Sequence, residues 1–383
     1  MARGLAAALL LVAGGLAGCL AATPLPLTPV QLLVGGWPPS PPPGALARPY
    51  TILGNVFSYP ELGLSIARPD PGAWEFQATQ SGMALLRLEG QLASAEGPSV
   101  QVTVVPLPAG VVLDTAVAED VVRLLQAGVG VVQGEVVVDG LPAIALWLMQ
   151  TQPGASGAPA RQERTWRLYL AHEGLLVLAE ARAEAGAFLG ALPAFEAMLE
   201  TLRVPQEPMR AEPGVRVPLQ RAGALTAPLL GLRLRTLDAS RWAAFSQGTS
   251  LSIERRAVPE GARAHPTLTV TVGDLPPGTD LRGVLAQERA AIEQGGASVT
   301  VASATLGGLS GEGWRWATGT GAAGLTHRRV TASQGARVAI AQYVLETPLA
   351  GSLEPELAAV LDALEAVAPA AAPPAASSPV TAP

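Results

Sequence analysis

The sequence predicts an α+β fold built as two tandem repeats, each a largely antiparallel sheet packed by helices. Three observations predict it. Shifted by 168 positions, residues 62–148 match 230–316 with 20 identities in 87 ungapped positions. Chance in so biased a composition supplies only about seven, so the chain carries an internal repeat. Strand patterns of alternating or short apolar runs recur in the same order in both copies, separated by helical stripes. Breaks rich in Pro and Gly flank and divide the two copies, as expected of 35 Pro and 42 Gly in 383 residues.

The elements of the first copy follow from its patterns. Strands are expected at Leu62–Ala67, Ala84–Glu89 and Ser99–Val105. Val117, Val121, Leu124 and Leu125 then form one helical stripe, which Gly128 and Gly130 end. Strands return at Val131–Val138, Ile144–Gln150, Arg164–Ala171 and Leu175–Ala183, and a helix from Phe188 to Leu202 closes the unit. In the second copy the register shortens by six or seven residues in a loop. Gly174 then falls on Gly335, and Pro193, Phe195, Met198, Leu199, Leu202 on Pro355, Leu357, Val360, Leu361, Leu364. Sheet-on-helix packing of such a unit satisfies the order strands, helix, strands, helix.

Several motifs resemble the PsbP-like family, which includes bacterial envelope lipoproteins of the LpqN and DcrB type. They are Asp70-Pro71-Gly72-Ala73-Trp74 after the opening strand, the turn Val138-Asp139-Gly140-Leu141-Pro142-Ala143, and the closing run Pro193 to Leu202. The resemblance spans each repeat nearly end to end. It departs in the second copy, where Leu306-Gly307-Gly308-Leu309-Ser310-Gly311 replaces the Asp-Gly turn. It implies an α/β/α sandwich, an antiparallel sheet between helices, used for binding or scaffolding, and no shared catalytic residue.

The ends of the chain read as an address and a tether. One Arg precedes an apolar run from Leu5, which ends in Leu16-Ala17-Gly18-Cys19. A charged start, a short apolar core and small residues before the cut describe a secretory signal. With Cys at the cut the segment resembles the lipobox of bacterial lipoproteins. That implies cleavage before Cys19, a lipid on its sulfur and attachment to a membrane. Leu20, in place of the Asp that retains many lipoproteins at the inner membrane, implies the outer membrane or the outer cell surface. The expected organisation is a signal at 1–18, a Pro-rich tether at 19–49, repeat one at 50–204, a linker at 205–227, repeat two at 228–366 and an Ala/Pro-rich tail at 367–383. Polyproline conformations would make the tether a semi-rigid spacer.

Composition excludes several functions. Acidic groups outnumber basic ones by 31 to 25, for a net charge of −6, which opposes nucleic-acid binding. One cysteine excludes an internal disulfide and multi-cysteine metal sites. The absence of lysine excludes Walker loops and Schiff-base chemistry. Gly319-Thr320-Gly321-Ala322-Ala323-Gly324 fits a dinucleotide fingerprint but leads into a strand pattern, so a hairpin connection is expected. His172, His265 and His327 share no ligand spacing, and no metal or other cofactor is expected.

One cluster could bind. Trp314 and Trp316 share a strand face, and Arg328 and Arg329 lie on the next strand; aromatic and Arg side chains together favour binding hot spots. Because the tryptophans replace Leu146 and Leu148 of the first copy, a buried role against a helix stays open beside an exposed platform. The expected function is a lipid-anchored cell-envelope protein whose two non-catalytic domains bind an envelope protein or a glycan. The alternatives are a glycan or ester hydrolase whose carboxylates meet only in the fold, and a holdase for apolar segments.

Overall fold

The computed structural model describes residues 50–367 apart from 61–62, 80–81, 90–91, 94–96, 153–158 and 205–211. The first half contains β1 (Thr51–Leu53), β2 (Val56–Tyr59), β3 (Leu64–Ala67), β4 (Trp74–Thr79), β5 (Gly82–Glu89), β6 (Leu92–Ala93) and β7 (Ser99–Pro106). Then come α1 (Leu113–Gln126), β8 (Gly130–Val138), β9 (Leu141–Gln152), β10 (Arg161–His172), β11 (Leu175–Glu184) and α2 (Ala185–Leu199). The second half continues with β12 (Gln220–Ala227), β13 (Leu232–Leu234), β14 (Trp242–Gln247), β15 (Ser250–Arg255) and β16 (Thr267–Asp274). It ends with α3 (Leu281–Gln294), β17 (Thr300–Leu306), β18 (Leu309–Thr318), β19 (Leu325–Gln334), β20 (Arg337–Glu346), α4 (Thr347–Asp362) and β21 (Leu364–Ala366). The architecture is α+β, with antiparallel strand pairs throughout the described residues.

The strands form three sheets. A small one runs β1-β2-β3; the largest runs β21-β13-β12-β8-β9-β10-β11-β7-β5-β4, with β6 beside β5; the third runs β14-β15-β16-β20-β19-β18-β17. Within the large sheet, β4-β5-β7-β11-β10-β9-β8 has the same order as the seven strands of the third. Alternation decides which side each residue faces. Leu146 and Leu148 point to α1, where Val117, Val121 and Leu124 meet them; Trp147 and Met149 point to α2, where Phe188, Leu192 and Phe195 complete the core.

The strand expected at Leu62–Ala67 is present over Leu64–Ala67 as β3; it is buried on both faces, lies in the small sheet and bridges Arg203 through Ser65. The linker at 205–227 contains β12, which pairs β8 on one side and β13 on the other. Its sequence QRAGALTA lacks alternation because the pairing is interrupted by an irregularity between Arg221 and Leu225. Strands of the second half therefore complete the sheet of the first, and the two are not beads on a string.

The halves also share one core. Phe245 on β14 meets Trp147 at 5.8 Å and Phe188 at 5.7 Å, both edge to face, while Trp147 stacks on Trp166 at 4.9 Å. The backbones come close enough here that a Cβ on Gly130 would sit 1.5 Å from the Ser246 carbonyl oxygen, so glycine is required. The Ser246 hydroxyl donates to the Val131 carbonyl at 3.0 Å.

Candidate binding surface

The lipobox residues Leu16, Ala17 and Gly18, the lipidation candidate Cys19, the tether up to Pro49 and the tail beyond Val367 lie outside the described residues. Among the described residues no helix is long and apolar enough to cross a membrane, and no group of three His, Cys, Asp or Glu is placed to hold a metal ion.

The four residues of the expected platform are not brought to one exposed face. Trp314 is only 2 % exposed; its indole N–H donates to Glu312, and the Arg329 guanidinium lies over its ring at 5.5 Å. Arg329 is itself buried and donates to Glu288 on α3. Arg328 points to the opposite face by strand alternation, opposite Arg315 and Tyr343, where Glu354 of α4 accepts from Arg315 at 3.0 Å. Trp316 alone keeps a half-exposed ring, stacked on His327 at 4.8 Å with the planes 5° apart. Burial lowers the His327 pKa, and its Nε2 lies 2.9 Å from the Thr318 hydroxyl. Around this pair Val301, Leu325 and Val344 are exposed on the same sheet face. The first half carries Gln133, Glu163 and Arg182 at the corresponding places.

The face under α1 in the first half is packed differently. Asp120 on α1 accepts from Arg167 at 2.7 Å and from Tyr169 and Arg123, and Arg167 also donates to Glu180 at 2.6 Å. Burial pushes the Tyr169 phenol well above its usual range, the Arg167 charge opposes this, and the Asp120 charge adds to it. Burial alone would lower the Arg167 pKa, but Glu180, Tyr169 and Asp120 outweigh it and raise it. A buried network of this kind fixes a helix on a sheet.

Three further groups escaped the sequence reading. Arg164 forms a bidentate pair with Glu254 of the other half, at 2.8 and 2.5 Å, and its guanidinium covers Phe245 at 4.1 Å. Glu196 on α2 is held between Arg221 and Arg256, both of which also reach the Ala239 carbonyl. The charged patterning of these residues is that of any solvated strand or helix, so no local signal marks them. The third group is β17, an edge strand with no strand on its outer side among the described residues. Its one legible sign is its lack of any charge or proline. Among the described residues, concave space includes a cavity of about 20 Å³ between the halves, lined by Trp147, Trp166 and Trp242, and open depressions such as that of about 540 Å³ where Gln220 passes Ile144.

No family model matches the chain, and no curated protein is similar to it. Among solved structures it is similar to cyanobacterial PsbP (CyanoP) from Synechocystis sp. PCC 6803, at 6 % identity over 36 % of this chain and 93 % of that one, with a TM-score of 0.22. It is also similar to a chain of the Tle4-Tli4 complex, at 12 % identity over 79 % and 100 %, with a TM-score of 0.24. A third is the immunity protein TplEi of T6SS from Pseudomonas aeruginosa, complexed with the "L" peptide, at 11 % identity over 78 % and 100 %, with a TM-score of 0.25. Scores of this size lie below those that establish a shared fold.

Proposed function

We propose that the protein is an exported lipoprotein, attached through Cys19 to the outer membrane or outer cell surface, that displays a non-catalytic binding or scaffold body made by duplicating a PsbP-like unit. The observation that carries the anchor is Leu16-Ala17-Gly18-Cys19 at the end of a short apolar run, in a chain with no other cysteine. Each buried methylene contributes about 0.8 kcal/mol, so two or three acyl chains on one cysteine hold a protein of this size at a bilayer. The Pro-rich stretch up to Pro49 would lift the body off the lipid.

Duplication is supported by the matching seven-strand order and by the place of each helix in it. Both α1 and α3 precede the fourth strand of their half, and both α2 and α4 follow the seventh. The turns agree as well: Asp139 and Gly140 have φ of 51° and 74°, and Gly307 and Gly308, 168 positions on, have 62° and 81°. The Gly-Gly turn thus keeps the mirror-turn geometry of Asp-Gly.

A binding role is favoured over hydrolysis by the state of the carboxylates. Asp120, Glu196 and Glu254 are each engaged by arginine, which occupies the oxygens a general acid or nucleophile would use. Two measurements test the reading. Mass analysis of the membrane-extracted protein should show an acylated Cys19 at the new amino terminus, lost together with membrane retention in Cys19→Ala. Affinity capture from native envelopes should retain the same envelope protein or glycan with the anchored and the Cys19→Ala forms. An unmodified Cys19 overturns the anchor; turnover of a glycan or ester by the purified protein overturns the non-catalytic body.

A further inference from the structure

β17 and β8 hold equivalent places in their sheets, 168 positions apart, and only β8 has its outer edge covered among the described residues. The residues of β8 that take β12 are Gln133, Gly134, Val136 and Val137. Their counterparts on β17 are Val301, Ala302, Ala304 and Thr305, centred on Ser303. The chain therefore contains one worked case of an antiparallel strand added at this edge and one edge of the same kind left bare.

Natural edges of this length are guarded by charge, proline or a bulge. Thr300-Val301-Ala302-Ser303-Ala304-Thr305-Leu306 has none of these in its seven paired residues, and only Leu306 is buried. The strand equivalent to β12 cannot supply a head-to-tail cap. The strand to supply it would be β2 of another chain, because β2 is to β3 as β12 is to β13, but the outer side of β2 is occupied by β1. The edge can instead pair with itself, because its neutral run is self-complementary about its centre.

We propose that a second copy of this chain pairs with β17 antiparallel about a two-fold axis at Ser303, joining the two seven-stranded sheets into one. The register sets Val301 against Thr305 and Ala302 against Ala304, with Ser303 against its own copy. Every pair is neutral, so no charge meets itself, and the β-branched pair is of the kind that stabilises cross-strand contacts. A single strand edge buries less than the ~1,200 Å² of a standard interface, so the association belongs with weak, transient ones, and we place its dissociation constant at roughly 10 µM to 1 mM. The association does not depend on the lipid anchor.

The test uses the full chain carrying Cys19→Ser, so that neither acylation nor a native thiol can bring copies together. Sedimentation velocity over a concentration series should show a monomer–dimer equilibrium in that range. Ser303 is exposed, so Ser303→Lys and Ser303→Glu leave the fold intact by circular dichroism; each places like charges opposite one another and should weaken dimerisation at least tenfold. An equimolar mixture of the two should regain it as a heterodimer. Ser303→Cys should oxidise to a covalent dimer. A chain that stays monomeric at about 1 mM overturns the proposal and leaves the edge to another occupant. Charged variants that dimerise as tightly as the parent overturn it by placing the interface elsewhere.

Discussion

Arg329 on β19 donates to Glu288 on α3, and this bond is the counterpart of the one between Arg167 and Asp120. Glu288 lies 168 residues after Asp120, and Arg329 lies 162 after Arg167, on either side of the shortened loop. A carboxylate on the helix and a guanidinium on the sheet thus pin the same helix in both halves. The burial of the two pins differs: the Asp120 side chain is fully buried, whereas that of Glu288 is 32 % exposed.

That difference sets the first expectation. Asp120→Ala leaves Arg167 with Glu180 as its one carboxylate and takes the acceptor from the buried Tyr169 hydroxyl, and should cost about 2–4 kcal/mol. Glu288→Ala removes a partly solvated carboxylate and leaves the buried Arg329 with Thr331 and the Trp314 ring, and should cost about 1–2 kcal/mol. Urea unfolding of the two variants measures both; equal losses would remove burial as the deciding factor.

Phe245 joins the cores of the halves, so they should melt together. The parent protein should show a single calorimetric transition, and Phe245→Ala should lower its stability by about 3–5 kcal/mol through the cavity it opens beside Trp147 and Phe188. Two resolved transitions in the parent would contradict the shared core.

Two tyrosines give the protein an alkaline limit. Burial pushes the Tyr343 phenol up to about 12, with Glu354 adding to it, and holds Tyr169 well above its usual range. Both groups stay protonated in the fold at a pH where the unfolded chain releases its protons. Their contribution is complete below the unfolded value near 10 and is lost as pH climbs towards the folded values. Stability should therefore fall above pH ~10, and Tyr169→Phe should flatten that fall. The tyrosinate absorbance of the native chain should show these two silent until unfolding begins.

Glu173 occupies the left-handed region, with φ of 48°, in the hairpin that joins β10 to β11. Its side chain is 67 % exposed and reaches only His172, at 3.6 Å. Glu173→Asn should stabilise the protein by about 0.5–1 kcal/mol, because asparagine adopts this conformation at lower cost. Thermal melting checks the sign.

The sequence was most informative where a pattern repeats locally. The stripe Val117, Val121, Leu124 is buried on α1, and strands such as Leu175–Glu184 begin where alternation begins. Gly319 to Gly324 forms the β18–β19 connection with a short turn of 3-10 helix, as its lead into a strand pattern implied. The exchange of Leu146 for Trp314 marks a buried position, but nothing in that exchange tells that Arg329 would cover the ring. Harder to see were pairings set by distant partners. β12 has no period of its own and is a strand because β8 offers it an edge, and Arg164 meets Glu254 across 90 residues that carry no mark of the meeting. A one-residue shift in the second register is of the same kind: the equal lengths of β11 and β20 set Gly335 against Glu173, one place from the Gly174 that identity suggests.

The use of β12 as a shared strand has a consequence for any attempt to divide the molecule. A fragment stopped at Val204 would expose the edge of β8, and a fragment begun at Gln220 would carry a strand paired to β13 on one side and bare on the other. Neither half is a portable module that could be moved into another protein with its surface intact. Severing the chain between Val204 and Glu212 would instead yield two pieces that recognise each other, each holding the missing wall of its neighbour.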